Sequence, residues 1–118
     1  MARLTLGESM ESTRKPTIQE ERLIELLVTK SSVAIPDNWK DGLMIRPMDD
    51  GEMGSIFLFP RSQAKEGRVF GEQISYWQFT DSDGIAVIAS LNVDNDGNLF
   101  ELDIWKVDFG KLKKFPDL

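Results

Sequence analysis

The sequence has no cysteine and no histidine among its 118 residues. Without cysteine there can be no disulfide, no thiol nucleophile and no thiolate ligand for a metal ion. Without histidine the chain also lacks the commonest general base and the commonest zinc ligand. Ser-His-Asp and Cys-His mechanisms are therefore excluded. An enzyme with this sequence would have to use carboxylates, lysine, tyrosine or a borrowed cofactor, and no motif predicts a cofactor.

Long apolar runs are missing as well. No segment approaches the roughly 18 consecutive apolar residues of a membrane span. The opening residues around Arg3 are not followed by the apolar stretch of a signal peptide. A chain of 118 residues suits one compact domain. We therefore expect a cytoplasmic protein with a loose tail over residues 1–16 and a single domain over residues 17–118.

Basic residues are scarce in the second half of the chain, and the formal charge of the whole is −6. From residue 69 to residue 108 there are eight acidic residues and one base, Lys106, which gives a local charge of −7. Such a field repels nucleic acids and anionic membranes, so we expect neither as a partner. It suits a basic protein partner. The alternative is a solvated surface that only keeps the protein soluble.

The first regular element is predicted to be an amphipathic helix that begins after Thr17. Thr17 and Glu20 have the spacing of a capping box, and Leu23, Ile24 and Leu27 form an apolar stripe behind them. Farther along, the apolar pattern alternates as in strands, with turns of Gly, Pro, Asp and Asn between the runs. The predicted strands are residues 43–48, 55–59, 69–79, 85–93 and 99–107. We predict an α+β fold in which one N-terminal helix packs on a roughly five-stranded antiparallel β-meander.

The stretch N-V-D-N-D-G-N-L-F-E-L-D, residues 92–103, has the spacing of a calcium-binding loop. Oxygen-bearing side chains stand at positions one, three, five and twelve, with Gly97 at position six. The flank argues against this interpretation, because the seven residues before Asn92 are strand-like and too few for an entering helix. A weak divalent-cation site over residues 92–97 stays open as an alternative.

The same stretch also has the pattern of a β-hairpin. Its large residues are odd-numbered before the turn and even-numbered after it, so a loop with an even residue count is needed to bring them to one face. A two-residue turn centred on Asp96 and Gly97 meets that need. The predicted core pairs are Val93 with Phe100, Leu91 with Leu102, and Ala89 with Ile104.

The outer face of this hairpin carries the first group of candidate binding residues, Asn92, Glu101, Asp103 and Trp105. Glu101 and Asp103 are two residues apart on one strand, so their Cα atoms lie about 6.5–7 Å apart. Carboxylates at such a separation can perform acid/base work on a glycosidic bond. A carboxylate-based hydrolase of a small molecule or sugar is therefore one alternative. Tryptophan amid charge is also typical of an interaction hot spot.

A second group of candidates lies in M-D-D-G-E-M-G-S, residues 48–55. Gly51 and Gly54 are predicted to supply positive φ in an irregular connection between strands. Met53 would serve as an adaptable apolar contact beside Asp49 and Asp50. We predict no catalytic residue and no metal ligand in either group.

Three motifs resemble one family. They are M-D-D-G-E-M-G-S, then F-G-E-Q, then S-L-N-V-D-N-D-G-N-L-F-E-L-D-I-W-K-V-D-F. They resemble a family of small bacterial single-domain proteins of unknown function, over residues 17–116. The resemblance implies a small bacterial protein and brings no activity and no catalytic residue with it.

The function expected from these observations is a non-enzymatic protein-interaction module of the inhibitor or immunity type. Its acidic surface would speed association with a basic target. Such a module could be a monomer or a homodimer, since either an exposed edge strand or the region of Tyr76 and Trp77 could support a dimer.

Overall fold

The structure is a computed structural model that describes residues 12–62 and 67–118. Most of the expected N-terminal tail, residues 1–11, lies outside the described residues. The chain forms one helix and five strands in that part. The elements are α1 (Ile18–Thr29), β1 (Met44–Pro47), β2 (Ile56–Phe59), β3 (Phe70–Thr80), β4 (Ala86–Asp94) and β5 (Leu99–Lys106).

The start of α1 is fixed by the predicted capping box. The Glu20 backbone N–H donates to Thr17 Oγ1 at 3.0 Å, and the Thr17 N–H donates to Glu20 Oε1 at 2.8 Å. Two of the N–H groups that every helix leaves unpaired at its first turn are thereby satisfied. Arg14 adds a bidentate ion pair to Glu20, with nitrogen–oxygen distances of 2.8 and 3.0 Å. This segment before the helix is therefore docked onto it.

The five strands form one antiparallel sheet in the order β1-β2-β5-β4-β3. The prediction of an α+β fold with a five-stranded antiparallel sheet is confirmed. The strand order differs from that of a simple meander, because β2 pairs with β5 and the next strand, β3, lies at the far edge. Ile56 of β2 stands opposite Leu102 of β5, and both side chains are buried in the core.

The helix covers one face of the sheet, which we call the helix face. Leu23, Ile24 and Leu27 of α1 are fully buried in one cluster with inward residues of all five strands. Alternation along each strand sends the intervening side chains to the opposite face, which we call the open face. The C-terminal segment joins the core through Leu112 and Phe115. No helix in the described ranges is long and apolar enough to cross a membrane.

The β4–β5 hairpin brings the large residues of both strands to one face, as predicted, but its turn differs from the predicted one. Leu91 faces Leu102 and Ala89 faces Ile104, as predicted, but Val93 faces Leu99 rather than Phe100. The predicted two-residue turn is wrong too. The Asp94 N–H donates to the Asn98 carbonyl, which leaves a three-residue loop with Gly97 at φ 84°. The Gly97 N–H also donates to the Asp94 carbonyl at 3.0 Å, and a left-handed glycine at this place is common in three-residue hairpin loops.

A bulge explains why an odd loop still brings both apolar sets to one face. The pairing shifts by one residue between Asn92 and Val93, and Phe100 is the extra residue on β5. The three loop residues and the one bulged residue together make an even number. They therefore bring the large residues of β4 and β5 to the same face, as a two-residue loop would. Leu99 takes the core place expected for Phe100, and the Phe100 ring lies against the Arg68 guanidinium instead.

Candidate interaction surface

The open face is where the structure gathers most of the predicted binding residues. Asp103 of β5 lies beside Ser90 of β4, and Ser90 lies beside Tyr76 of β3. One step along the strands, Trp105 lies beside Ile88. Tyr76 is 65% exposed and Trp105 is 42% exposed. Large side chains thus flank the small Ser90 on a face that no helix of the described residues covers.

An aromatic pair marks the end of this face. Trp105 and Phe109 make an edge-to-face contact with ring centroids 4.7 Å apart. Phe109 is 68% exposed and has a φ of 64°, in the left-handed region that bulky residues avoid. A residue in that region carries a strain of roughly 1–2 kcal/mol. Burial does not compensate for it at this position, so folding alone gives no reason for a phenylalanine here.

The carboxylates of Asp103 and Glu101 are each held by a neutral hydrogen-bond donor. Asp103 Oδ1 accepts a hydrogen bond from Ser55 Oγ at 3.2 Å, and Glu101 Oε1 accepts one from Asn92 Nδ2 at 3.0 Å. Both donors are neutral, so neither bond cancels the charge. Asn92 itself is 5% exposed, so it orients Glu101 instead of presenting its amide to a partner.

Most residues of the second predicted group form hydrogen bonds within the protein that hold the connection between β1 and β2. Asp50 accepts hydrogen bonds from the backbone N–H groups of Met53 and Ser55, at 3.2 and 2.9 Å. Met53 is half-buried and its Sδ accepts a hydrogen bond from the Lys106 N–H at 3.5 Å. Asp49 is exposed. Of the second group, then, two residues are engaged in holding the β1–β2 connection.

That connection also contains the two predicted positive φ angles. Gly51 has φ 72° and Gly54 has φ 106°. At Gly54 an added Cβ would lie 3.3 Å from Ile104 Cδ1 and 3.4 Å from Leu112 Cδ2. Glycine is therefore required there both by its φ and by the close approach of the C-terminal segment.

The loop with calcium-like spacing is organised around an arginine. Arg68 Nε donates to Asp94 Oδ2 at 2.9 Å, and the two side chains are 4% and 1% exposed. Asp94 Oδ1 accepts from the N–H groups of Asp96 and Asn98, at 2.8 and 3.0 Å. Burial favours the neutral acid, but Arg68 and these N–H groups hold the pKa of Asp94 below its usual value. Both oxygens of the central carboxylate are thus engaged.

No group of three or more acidic side chains in the described ranges could hold a metal ion. The guanidinium of Arg68 also places a positive charge beside the carboxylate that a divalent cation would need. The Arg68 guanidinium is held there by the Leu58 and Leu99 carbonyls, which accept from it at 2.9 and 2.6 Å. The geometry therefore does not favour cation binding over residues 92–97.

A second buried ion pair, which sequence reasoning missed, lies at the other end of the sheet. Lys106 Nζ donates to Asp81 Oδ2 at 2.8 Å and to Asp83 Oδ2 at 2.6 Å. Burial alone would raise the pKa of Asp81, but Lys106 and three backbone N–H groups hold it well below its usual value. The sequence pattern could have indicated this burial, because the alternation of Leu102 and Ile104 continues to Lys106 and places it on the helix face. A lysine at such a position requires a buried acidic partner.

These ion pairs engage three of the acids of this region. Asp81 and Asp83 share the single positive charge of Lys106, and Asp94 pairs with Arg68. The remaining negative charge is therefore concentrated on fewer residues, among which Glu101 and Asp103 stand side by side on the open face.

Neither of two clefts formed by described residues is lined by an acidic residue. One lies between the β4–β5 turn and the loop around Trp39. The other lies beside the N-terminal half of β3, between Lys30, Ser32, Gln73 and Tyr76. Glu101 and Asp103 line neither cleft; they stand on the open face.

A sequence model of one family, a domain of unknown function designated DUF6984, matches residues 13–116. The chain belongs to this family. The match covers the helix, all five strands and most of the C-terminal segment, so DUF6984 describes the whole folded unit. It begins at the segment that contains Arg14, which agrees with the docking of that segment onto α1. No curated protein and no solved structure matches the sequence significantly.

Proposed function

We propose that this DUF6984 protein is a non-enzymatic interaction module of the inhibitor or immunity type, which binds a basic protein through its open face. The observation that carries the proposal is the exposed Trp105–Phe109 pair beside the carboxylate of Asp103. Phe109 is held in a strained conformation with most of its side chain in solvent. Backbone strain of this kind occurs most often at functional positions.

The composition of the surface matches that of an interface centre. Tryptophan and tyrosine supply large apolar area with few rotatable bonds, so ordering them on binding loses little entropy. Asp103 and Glu101 lie next to them, and each accepts its hydrogen bond from a neutral donor. An arginine or lysine of the partner could therefore contact a carboxylate and an aromatic ring together.

The two alternatives receive no comparable support. A carboxylate hydrolase needs a concave site that holds at least two of Glu72, Glu101 and Asp103. Glu101 and Asp103 stand on the open face, and Glu72 is an exposed residue of the edge strand β3. A cation site over residues 92–97 competes with Arg68 for Asp94.

Pull-down from bacterial lysate at low and high salt, followed by reconstitution with the purified partner, tests the proposal. We expect a basic partner whose binding weakens at high salt, because opposite charges on the two surfaces are screened. Trp105→Ser and Phe109→Asn should each weaken binding at least tenfold. Asp103→Asn should reduce binding and its dependence on salt together.

Val33→Ser is the matched control, because Val33 is also an exposed apolar residue, 40% accessible, but lies in the loop after α1. It should leave partner binding unchanged. Equal binding by the wild-type protein and the Trp105→Ser and Phe109→Asn variants would overturn the assignment of the open face. A partner that is acidic, or that binds independently of salt, would overturn the proposed class of partner.

A further inference from the structure

The two edges of the sheet are protected to different degrees. The edge of β1 is covered by the segment before the helix, since Arg14 and Ile45 exchange two backbone hydrogen bonds at 2.9 and 2.7 Å. At the opposite edge, the Ser32 N–H donates to the Ile74 carbonyl at 2.8 Å. That bond covers β3 only at its N-terminal half. Past Ile74, no described residue hydrogen-bonds to the outer edge of β3.

The direction of the backbone groups beyond Ile74 follows from the pairing with β4. The Asp81 N–H donates to the Ile85 carbonyl, so odd-numbered residues of this part of β3 direct their backbone groups toward β4. Even-numbered residues direct theirs outward, as the Ile74 carbonyl does. Tyr76, Gln78 and Thr80 therefore present their N–H and C=O groups along the outer edge.

The usual protections of an edge strand are missing between residues 75 and 80. Natural edges carry charged residues, proline or bulges that prevent pairing with another strand. This stretch, S-Y-W-Q-F-T, has no charge and no proline. Its pairing with β4 is regular from Ser75 to Thr80, and both register shifts of β3 come before it. The edge is thus regularly paired with β4, uncharged and not covered by any described residue.

We propose that a second copy of this chain pairs with that edge, β3 against β3 in antiparallel orientation, with a two-fold axis at Gln78. Gln78 would face Gln78 of the second copy, and Tyr76 would face Thr80. Each of these pairs joins residues whose backbone groups point outward, so about six hydrogen bonds would form between the two copies. The two sheets would become one continuous sheet of ten strands.

Three observations favour a second copy over a different strand. A two-fold axis requires a self-complementary edge, and the outward groups at residues 76, 78 and 80 are symmetric about Gln78. The chain is acidic overall, yet it places no charge on this stretch, where two identical copies would otherwise repel each other. Trp77 and Phe79, stacked with ring centroids 5.5 Å apart on the helix face, would meet their counterparts and extend the core.

The cleft beside β3 supports the same arrangement. With Gln78 on the axis, the pairing would end with Tyr76 opposite Thr80, because Ser32 already occupies the edge at Ile74. The turn over residues 81–84 of the second copy, whose Asp83 stays partly exposed, would then approach the cleft. Lys30 lines that cleft and forms no ion pair with any described residue, so it offers a charge of opposite sign. The buried hydroxyl of Ser75, which lines the cleft too, has no hydrogen-bond partner in the described ranges.

Sedimentation equilibrium and light scattering of the purified full chain test the dimer. We expect a concentration-dependent species of twice the 13.4 kDa mass of the chain. Gln78→Lys places two like charges opposite each other on the axis and should raise the dissociation constant about tenfold or more. Asn38→Lys adds the same charge in the exposed loop around Trp39 and should leave the dissociation constant unchanged.

Amide hydrogen exchange gives a second measurement that does not depend on a variant. The N–H groups of Tyr76, Gln78 and Thr80 should exchange slowly in the dimer and rapidly in dilute wild-type protein. A single species of monomer mass up to millimolar concentration would overturn the proposal. A dimer that survives Gln78→Lys unchanged, or one in which these three amides exchange rapidly, would overturn it as well.

Discussion

Lys106 and Asp81 form a buried ion pair whose nitrogen and oxygen atoms lie 2.8 Å apart, with side chains 1% and 0% exposed. The pair joins the end of β5 to the β3–β4 turn. It also holds the C-terminal segment, because Asp81 accepts hydrogen bonds from the Lys113 and Lys114 N–H groups at 2.8 and 3.0 Å. One carboxylate therefore connects three separate parts of the chain.

The first prediction concerns removal of this lysine. Lys106→Met should lower the melting temperature by roughly 10 °C or more, because it leaves the Asp81 carboxylate buried without its counter-charge. Adding Asp81→Asn to that variant should recover part of the loss, since the second change removes the unpaired charge. Thermal unfolding followed by circular dichroism measures both.

Lys111→Met is the matched control for this prediction. Lys111 pairs with Glu52 at 3.2 Å, but both side chains are largely exposed, and ion pairs of that kind contribute little to stability. Its melting temperature should stay close to that of the wild type. If Lys106→Met and Lys111→Met have the same melting temperature, the buried pair does not have the structural role assigned to it.

The second prediction concerns acid. Ion pairs and backbone N–H groups hold the pKa values of Asp81, Asp94 and Glu20 below their usual range in the folded protein, against the effect of burial. A carboxyl group whose folded pKa is lowered contributes stability above its unfolded pKa of about 4. That contribution is lost as the pH falls through the folded pKa. The free energy of unfolding should therefore decrease from about pH 5 downward.

At higher pH the expected behaviour follows from composition and from Lys106. With no histidine in the chain, the free energy of unfolding should be nearly constant between about pH 6 and pH 9. The pKa of Lys106 is raised by Asp81 and Asp83 despite its burial, so its contribution is present below about pH 10.4 and is lost only above that value. Urea titrations across this range measure the profile. A steep change in the free energy of unfolding near neutral pH would contradict the assignment of its pH dependence to these carboxylates and Lys106.

The third prediction concerns Gly71, which stands at a bulge of β3. A Cβ at this position would lie 2.3 Å from the Asp94 carbonyl oxygen, a backbone atom that cannot rotate away. Gly71→Ala should therefore destabilise the protein by about 2 kcal/mol or more. Gly110→Ala is the control, since the atom nearest its Cβ belongs to the Asp108 side chain. Comparable denaturation midpoints for the two variants would show that the close approach at Gly71 is tolerated.

The fourth prediction concerns calcium. Because Arg68 and backbone N–H groups engage both oxygens of Asp94, millimolar calcium should leave the melting temperature of the wild-type protein unchanged. A ligand that binds the folded state must raise its stability, so a clear increase would show that a cation displaces Arg68. Magnesium at the same concentration serves as a control for general effects of salt.

Local features of the sequence determined the elements correctly. The Thr17 and Glu20 spacing located the start of α1, and alternation located all five strands to within a residue or so. Parity placed Leu91 opposite Leu102, and glycine chemistry identified Gly51 and Gly54 as positions of positive φ. These features depend on residues close together in the chain, which is why a sequence reveals them.

Only the tertiary structure decided which strands are neighbours and which acids lie in buried ion pairs. The pairing of β2 with β5 and the ion pairs of Arg68 with Asp94 and Lys106 with Asp81 join residues far apart in sequence. A local sequence pattern does not specify such partners. The stability of these contacts comes from burial that exists only when the distant segments have packed together. The fold thus withdrew Asp81 and Asp94 into buried ion pairs and left Asp103 beside Trp105 on the open face.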